Sequence, residues 1–141
     1  MCSSDLDYVL DFTLTGKETF SGTTTLSFDL NEASSPLTID LDKATVKSVT
    51  VNGKSVTPQY NGWFITLAAG DLVKGRNTVA IAYERPHSTN GEGLHRMVDP
   101  ADGRVYTYSH FEPVAAQQMF PLFDQPDLKA SYTVTVTAPK D

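Results

Sequence analysis

Four consecutive residues near the C-terminal end of the chain, His110-Phe-Glu-Pro113, carry its most concentrated chemistry. They open a segment that continues Val-Ala-Ala-Gln-Gln-Met-Phe-Pro-Leu-Phe-Asp-Gln-Pro-Asp-Leu-Lys-Ala-Ser-Tyr132. Glu112 is a carboxylate that could bind a cation, ligate a metal or move a proton. His110 stands two positions earlier. On an extended strand residues i and i+2 share a face, so both side chains are expected to project together beyond the end of a sheet. Two readings compete for the pair: a polar pair at a substrate cleft, or an exposed pair of little energetic value. Spacing alone favours the second.

The other chemistry-bearing residues form no arrangement of this kind. None of the three histidines sits in His-Glu-x-x-His or a Cys/His cluster, so spacing builds no zinc site. His87 and His95 read as surface or half-buried side chains. Gly-x-Ser-x-Gly is absent. Ser109-His110 is adjacent only in sequence, whereas a catalytic triad is assembled by a fold. Gly91-Glu-Gly93 lies between two strand-like runs, the wrong context for a phosphate cradle. Asp99, Asp102, Glu112 and Asp124 supply carboxylates, but no spacing brings a particular pair to the separation that glycoside chemistry needs. Asp99 and Asp102 read as loop residues. Asp124-Gln-Pro126-Asp reads as a structural corner, where an Asp side chain accepts backbone N–H bonds two residues on. Phe120, Leu122 and Phe123 beside it should be buried, and Trp63 and the other phenylalanines read as core, with an exposed aromatic stripe for sugars as the lesser alternative.

A length of 141 residues points to one domain with a substantial core, and 40% hydrophobic residues argue against disorder. Eleven basic against seventeen acidic residues leave a net charge of −6. The lysines are scattered (Lys17, Lys43, Lys47, Lys54, Lys74), so no nucleic-acid partner is expected. No run of 18 apolar residues exists, and no membrane span is expected. The single cysteine, Cys2, allows no intrachain disulfide and does not fix the redox compartment. Localisation stays open. Met1-Cys-Ser-Ser-Asp-Leu6 lacks the basic and apolar regions of a signal peptide. Its codons fit a common sequencing-adaptor string, so residues 1–6 are expected to be a non-native scar and the domain to occupy residues 7–141.

The elements that must position Glu112 are strands. Tyr8, Leu10, Phe12 and Leu14 alternate with polar or solvent-facing positions, and Phe20 to Leu30 do the same across a threonine-rich face. The two runs predict a long antiparallel hairpin. Leu37 to Leu41, Val46 to Val51, Ser55 to Gln59 and Trp63 to Leu67 predict further strands. Asn52-Gly53 is a type I′ turn signal. Ala69 to Lys74 predicts one helical turn capped by Gly75. Another strand is expected around Thr78 to Tyr83, ended by Pro86. Leu94 to Val98 and Arg104 to Tyr108 flank a five-residue turn, Asp99-Pro-Ala-Asp-Gly103. Pro113, read as a first helical residue, predicts a short helix over 113–119. Tyr132, Val134 and Val136 predict the last strand. The class is all-β, a curved antiparallel sheet or sandwich with one short helix.

The segment from Phe111 to Tyr132 resembles the zinc aminopeptidases of the M1 (aminopeptidase N) type. Their N-terminal domain ends in a motif close to Thr-Gln-Phe-Glu-Pro, then Ala-Arg, Phe-Pro-Cys-Phe-Asp-Glu-Pro and Lys-Ala. The matching residues are Phe111, Glu112, Pro113, Ala116, Phe120, Pro121, Phe123, Asp124, Pro126, Lys129 and Ala130. Gly93-Leu94, Gly103 and Tyr108 are similar to that family's preceding hairpin. The resemblance implies a saddle-shaped β domain beside the cleft of an adjacent catalytic domain. It also implies that Glu112 binds the α-amino group of a peptide substrate, with His110 lining the pocket. A carboxylate suits that task, because it accepts charge-assisted hydrogen bonds from an ammonium.

The chain departs from the motif at three places. His110 replaces a glutamine, Gln117 an arginine, and Gln125 the glutamate of Asp-Glu-Pro. The family's zinc motif and its Gly-x-Met-Glu-Asn segment are not in this sequence. The resemblance therefore implies a substrate-binding domain with no cofactor of its own and a zinc ion in the parent enzyme. Alone, the chain is expected to be inactive. The alternatives are a non-catalytic β-sandwich interaction or scaffold module, and a relative that also opens epoxides.

Overall fold

The computed structural model describes residues 6–125 and 128–140. Met1 to Asp5 of the expected scar, Pro126 and Asp127 of the corner, and Asp141 lie outside the described residues. The described residues form ten strands. These are β1 (Asp7–Leu14), β2 (Thr19–Leu30), β3 (Leu37–Asp40), β4 (Thr45–Val51) and β5 (Lys54–Val56). The second half contributes β6 (Phe64–Leu67), β7 (Gly75–Pro86), β8 (Gly93–Val98), β9 (Val105–His110) and β10 (Ser131–Thr137).

Six strands form one sheet in the order β10-β1-β2-β7-β4-β5; β3–β6 and β8–β9 form two small two-stranded sheets. The expected β1–β2 hairpin is present, with Tyr8 opposite Leu26 and Phe12 opposite Gly22. Asn52 and Gly53 both have positive φ, 50° and 81°, as a type I′ turn requires. One pairing departs from the antiparallel expectation: β10 runs parallel to β1, with Tyr8 beside Tyr132 and Phe12 beside Val136. Alternation marks a strand's faces but not its direction, so the sequence pattern could not reveal this.

The inward face of the large sheet is mostly apolar and follows the period of two of its strands. Tyr8, Leu10 and Phe12 of β1, Phe20, Leu26 and Phe28 of β2, and Val79, Ile81 and Tyr83 of β7 are all buried. Ile39, Leu41, Ile65 and Leu67 from the β3–β6 region pack into the same core, joined by Phe120, Leu122 and Phe123. Leu6, assigned by sequence to the scar, is also buried there.

Four expectations need correction. Trp63 is 60% exposed and lies under the Lys43 ammonium rather than in the core. Asn61 Oδ1 accepts the amides of both Trp63 and Phe64, so residue 63 still belongs to the turn and the inward alternation starts only at Ile65. The return strand β5 stops at Val56, before Pro58, which has no N–H for a ladder. The helix expected over 113–119 is a four-residue 3-10 turn, Ala115–Gln118. Val114, at φ −144° and ψ 25°, is not helical. The carbonyls of Gln117 and Met119 are taken by the Asp42 amide and the Tyr83 hydroxyl, so tertiary partners replace the ladder a longer helix would need. A comparable 3-10 turn, Ala69–Asp71, stands where a helical turn was expected over 69–74.

Candidate functional site

β9 delivers the candidate residues. It pairs with β8 from Val98↔Val105 to Gly93↔His110, which places His110 at the last rung of the hairpin. The strand ends there, and Glu112 lies in the turn that follows, with a cis Glu112–Pro113 peptide. The i, i+2 rule that put His110 and Glu112 on a common face therefore stops short of Glu112. Both residues are exposed. Among the described residues neither side chain has a hydrogen-bond or ion-pair partner. Glu112 thus presents a carboxylate whose accepting positions are free for a cationic ligand.

The segment bearing Glu112 is held on both sides. The Ala115 amide donates to Phe111 O at 2.7 Å, closing a turn around Glu112-Pro113-Val114. The Phe111 ring meets Phe120 edge-on at 6.1 Å, and Phe120 is buried against Tyr8 and Phe12. Downstream, Asp42 N donates to Gln117 O at 2.8 Å, and Gln118 Nε2 donates to Glu92 Oε2 at 3.1 Å. The Tyr83 hydroxyl donates to Met119 O at 2.7 Å, and the Phe123 amide donates to the Tyr8 hydroxyl oxygen at 2.9 Å. Leu122 exchanges backbone bonds with Asp40 on β3. Burial pushes both tyrosine hydroxyls well above their ordinary pKa, so both stay protonated, Tyr83 as a donor and Tyr8 as an acceptor in these bonds.

Phe120, Leu122 and Phe123 are buried as expected, but the corner after them is held differently. The Asp124 amide donates to the Asp40 carboxylate at 3.4 Å, and the Gln125 amide returns to Phe123 O. Burial, reinforced by the charge of Asp40, raises the pKa of the Asp124 carboxyl. Beside the turn lies a depression of about 410 Å³ lined by Pro113, Asp124, Lys129 and Tyr132 among others. Tyr132 was expected only as a strand residue. It faces inward beside Tyr8, stacked at 5.0 Å, yet stays 52% exposed because β10 is an edge strand. Hydropathy alternation cannot separate an edge strand from an interior one.

The other histidines are structural. His87 is buried against Phe20 at 5.0 Å, and burial lowers its pKa. His95 Nδ1 accepts the Gly91 amide and its ring leans on Tyr108. No group of three His, Cys, Asp or Glu side chains among the described residues can hold a metal ion. The zinc that the resemblance implies for the parent enzyme therefore finds no ligand set among the described residues. No helix among the described residues is long and apolar enough to cross a membrane.

Residues 4–141 match the family model described as the Peptidase M1 N-terminal domain. The chain is 38% identical to an aminopeptidase N of Streptomyces lividans over 136 residues, covering 94% of this chain and 16% of that protein. It is 28% identical to an aminopeptidase N of Lactobacillus delbrueckii subsp. lactis over 83% of this chain and 14% of that protein. Endoplasmic reticulum aminopeptidase 1 of Rattus norvegicus is 36% identical over 50% of this chain and 8% of its own length. The chain thus spans about one-sixth or less of the curated relatives it matches. With its all-β sheet, its β8–β9 hairpin and the Phe111 to Ala130 motif in place, the chain belongs to the M1 peptidase N-terminal domain family.

Proposed function

We propose that this chain is the substrate-binding N-terminal domain of a longer zinc aminopeptidase, and that Glu112 binds the α-amino group of the peptide substrate. The supporting observation is a partner-free, exposed carboxylate on a turn fixed at both ends by the core. An ammonium has N–H donors and a positive charge, and a carboxylate in this setting has nothing else to satisfy. A fixed anchor of this kind measures the distance from a peptide's N-terminus to its first amide bond and so selects removal of a single residue. His110, at the hairpin end beside it, lines the same pocket. The bond-breaking chemistry and its metal belong to an adjacent catalytic domain outside this chain.

The test is Glu112→Ala in the parent protein with an aminoacyl-nitroanilide substrate. Amine binding both holds and orients the substrate, so KM should rise and kcat should fall. A charge-assisted hydrogen bond of about 1.5–3 kcal/mol corresponds to a drop in kcat/KM of roughly 10- to 100-fold. Unchanged kinetics would remove Glu112 from the site.

A further inference from the structure

We propose that Tyr83, seated over Gly22, is a positioning residue for Glu112: its hydroxyl fixes the turn that carries the carboxylate, and only a glycine at position 22 leaves room for it. This rests on the amine-binding role proposed for Glu112.

Tyr83 lies on β7 directly opposite Gly22 on β2. Its ring crosses the glycine so closely that a Cβ added at residue 22 would come within 2.6 Å of the hydroxyl oxygen and 2.7 Å of Cζ. Real side chains do not tolerate such an approach, so even an alanine would push the ring aside. The Tyr83 hydroxyl is thereby carried past β2 to the 3-10 turn, where it donates to Met119 O at 2.7 Å. The ring itself is 1% exposed and packed edge-on against Phe20. The donor is thus attached to a ring packed in the core.

Met119 closes the 3-10 turn by donating to Ala116 O, and Phe120 donates to the same carbonyl. Four residues earlier, Ala115 N is bonded to Phe111 O, which encloses Glu112. A displacement at Met119 therefore passes through one short turn to the loop bearing the carboxylate. Asp42 N to Gln117 O and Gln118 Nε2 to Glu92 Oε2 hold the middle of this stretch, and Phe123 N to the Tyr8 hydroxyl lies four residues beyond Met119, so Tyr83 is the support at the Met119 end of the turn. A carboxylate that must meet an ammonium at hydrogen-bond distance tolerates little displacement.

The experiment compares Tyr83→Phe, which keeps the ring and removes only the hydroxyl, with Gly22→Ala, Glu112→Ala and the Tyr83→Phe/Glu112→Ala double variant. In the 141-residue chain, hydrogen exchange at the Met119 and Phe120 amides should accelerate in Tyr83→Phe and Gly22→Ala, while β4 and β7 amides keep their protection. In the parent protein, Tyr83→Phe should raise KM for a free-amine substrate by about three- to tenfold, the size of one lost hydrogen bond. It should leave the binding of a desamino analogue within about twofold of wild type and add nothing to Glu112→Ala, since both act on one interaction. Faster exchange with an unchanged KM would overturn the inference and leave the role of Glu112 standing. So would an effect that adds in full to Glu112→Ala, or equal weakening of the desamino analogue. A silent Glu112→Ala would overturn the amine-binding reading itself, and the positioning role with it.

Discussion

Replacing Asp42 with alanine should destabilise the protein by about 3–5 kcal/mol, the cost of leaving a buried charge without its partner. Arg85, near the end of β7, is 6% exposed and points into the protein. Its Nε donates to Asp42 O at 2.7 Å, one terminal nitrogen donates to Pro86 O at 2.9 Å, and the other faces Asp42 Oδ2 at 3.5 Å. Burial lowers the guanidinium pKa, and the Asp42 carboxylate counters that shift. With the carboxylate gone, only backbone carbonyls face the cation. A domain of this kind is stable by roughly 5–15 kcal/mol in total, so the urea midpoint should fall by a large fraction of its value. Adding Arg85→Met to Asp42→Ala should recover much of the loss, because an apolar side chain of similar length leaves no charge to satisfy. A double variant as unstable as Asp42→Ala would show that the ion pair is not the cause. The Asp42 backbone also holds Gln117 O, so the pair supports the Glu112 segment from below.

The second large effect is expected at Asn77, at the other end of β7. Its side chain is wholly buried. Oδ1 accepts from Asn52 Nδ2 at 3.0 Å and from the Val73 amide at 2.9 Å, while Nδ2 donates to Val73 O at 2.7 Å and Gly75 O at 3.1 Å. One amide thus pins the loop before β7 to the type I′ turn between β4 and β5. Truncation to alanine removes all four bonds at once, and each group left unsatisfied costs about 1–3 kcal/mol. Relaxation recovers part of this, so Asn77→Ala should lose about 3 kcal/mol, read from the urea midpoint. Asn77→Asp should do no better, because a carboxylate oxygen would then face the carbonyls of Val73 and Gly75 with no hydrogen to offer. A loss under about 0.5 kcal/mol in Asn77→Ala would mean the loop finds other partners.

These two residues also show where the sequence stopped being readable. β7 was expected over Thr78 to Tyr83, and it runs from Gly75 to Pro86. Its inward positions are Asn77, Val79, Ile81, Tyr83 and Arg85, so the period of two extends through both polar ends. Hydropathy hides that extension, because Asn77 and Arg85 are buried through partners that lie elsewhere in the chain. Where the inward residues are mostly apolar, as in β1 and β2, alternation alone identified strand, face and hairpin. The candidate site divides in the same way. Phe120, Leu122 and Phe123 were legible as buried, and Glu112 was legible as the carboxylate of a family motif. The hold of Tyr83 on Met119 was not, since it depends on a glycine 61 residues away in sequence and directly opposite in the sheet. Pro113 was misleading in local terms. It signals a helix start, but the neighbouring carbonyls are claimed by Asp42 and Tyr83 and only a 3-10 turn remains.

The central claim, that Glu112 binds the substrate's α-ammonium, is tested most directly by one affinity ratio. The dissociation constant of a non-hydrolysable aminoacyl ligand is compared with that of its desamino counterpart, in the parent protein and in its Glu112→Ala variant. The account predicts that wild type prefers the ammonium ligand and that Glu112→Ala reduces this preference by roughly tenfold or more, through weaker binding of that ligand alone. A preference that survives intact in Glu112→Ala would contradict it.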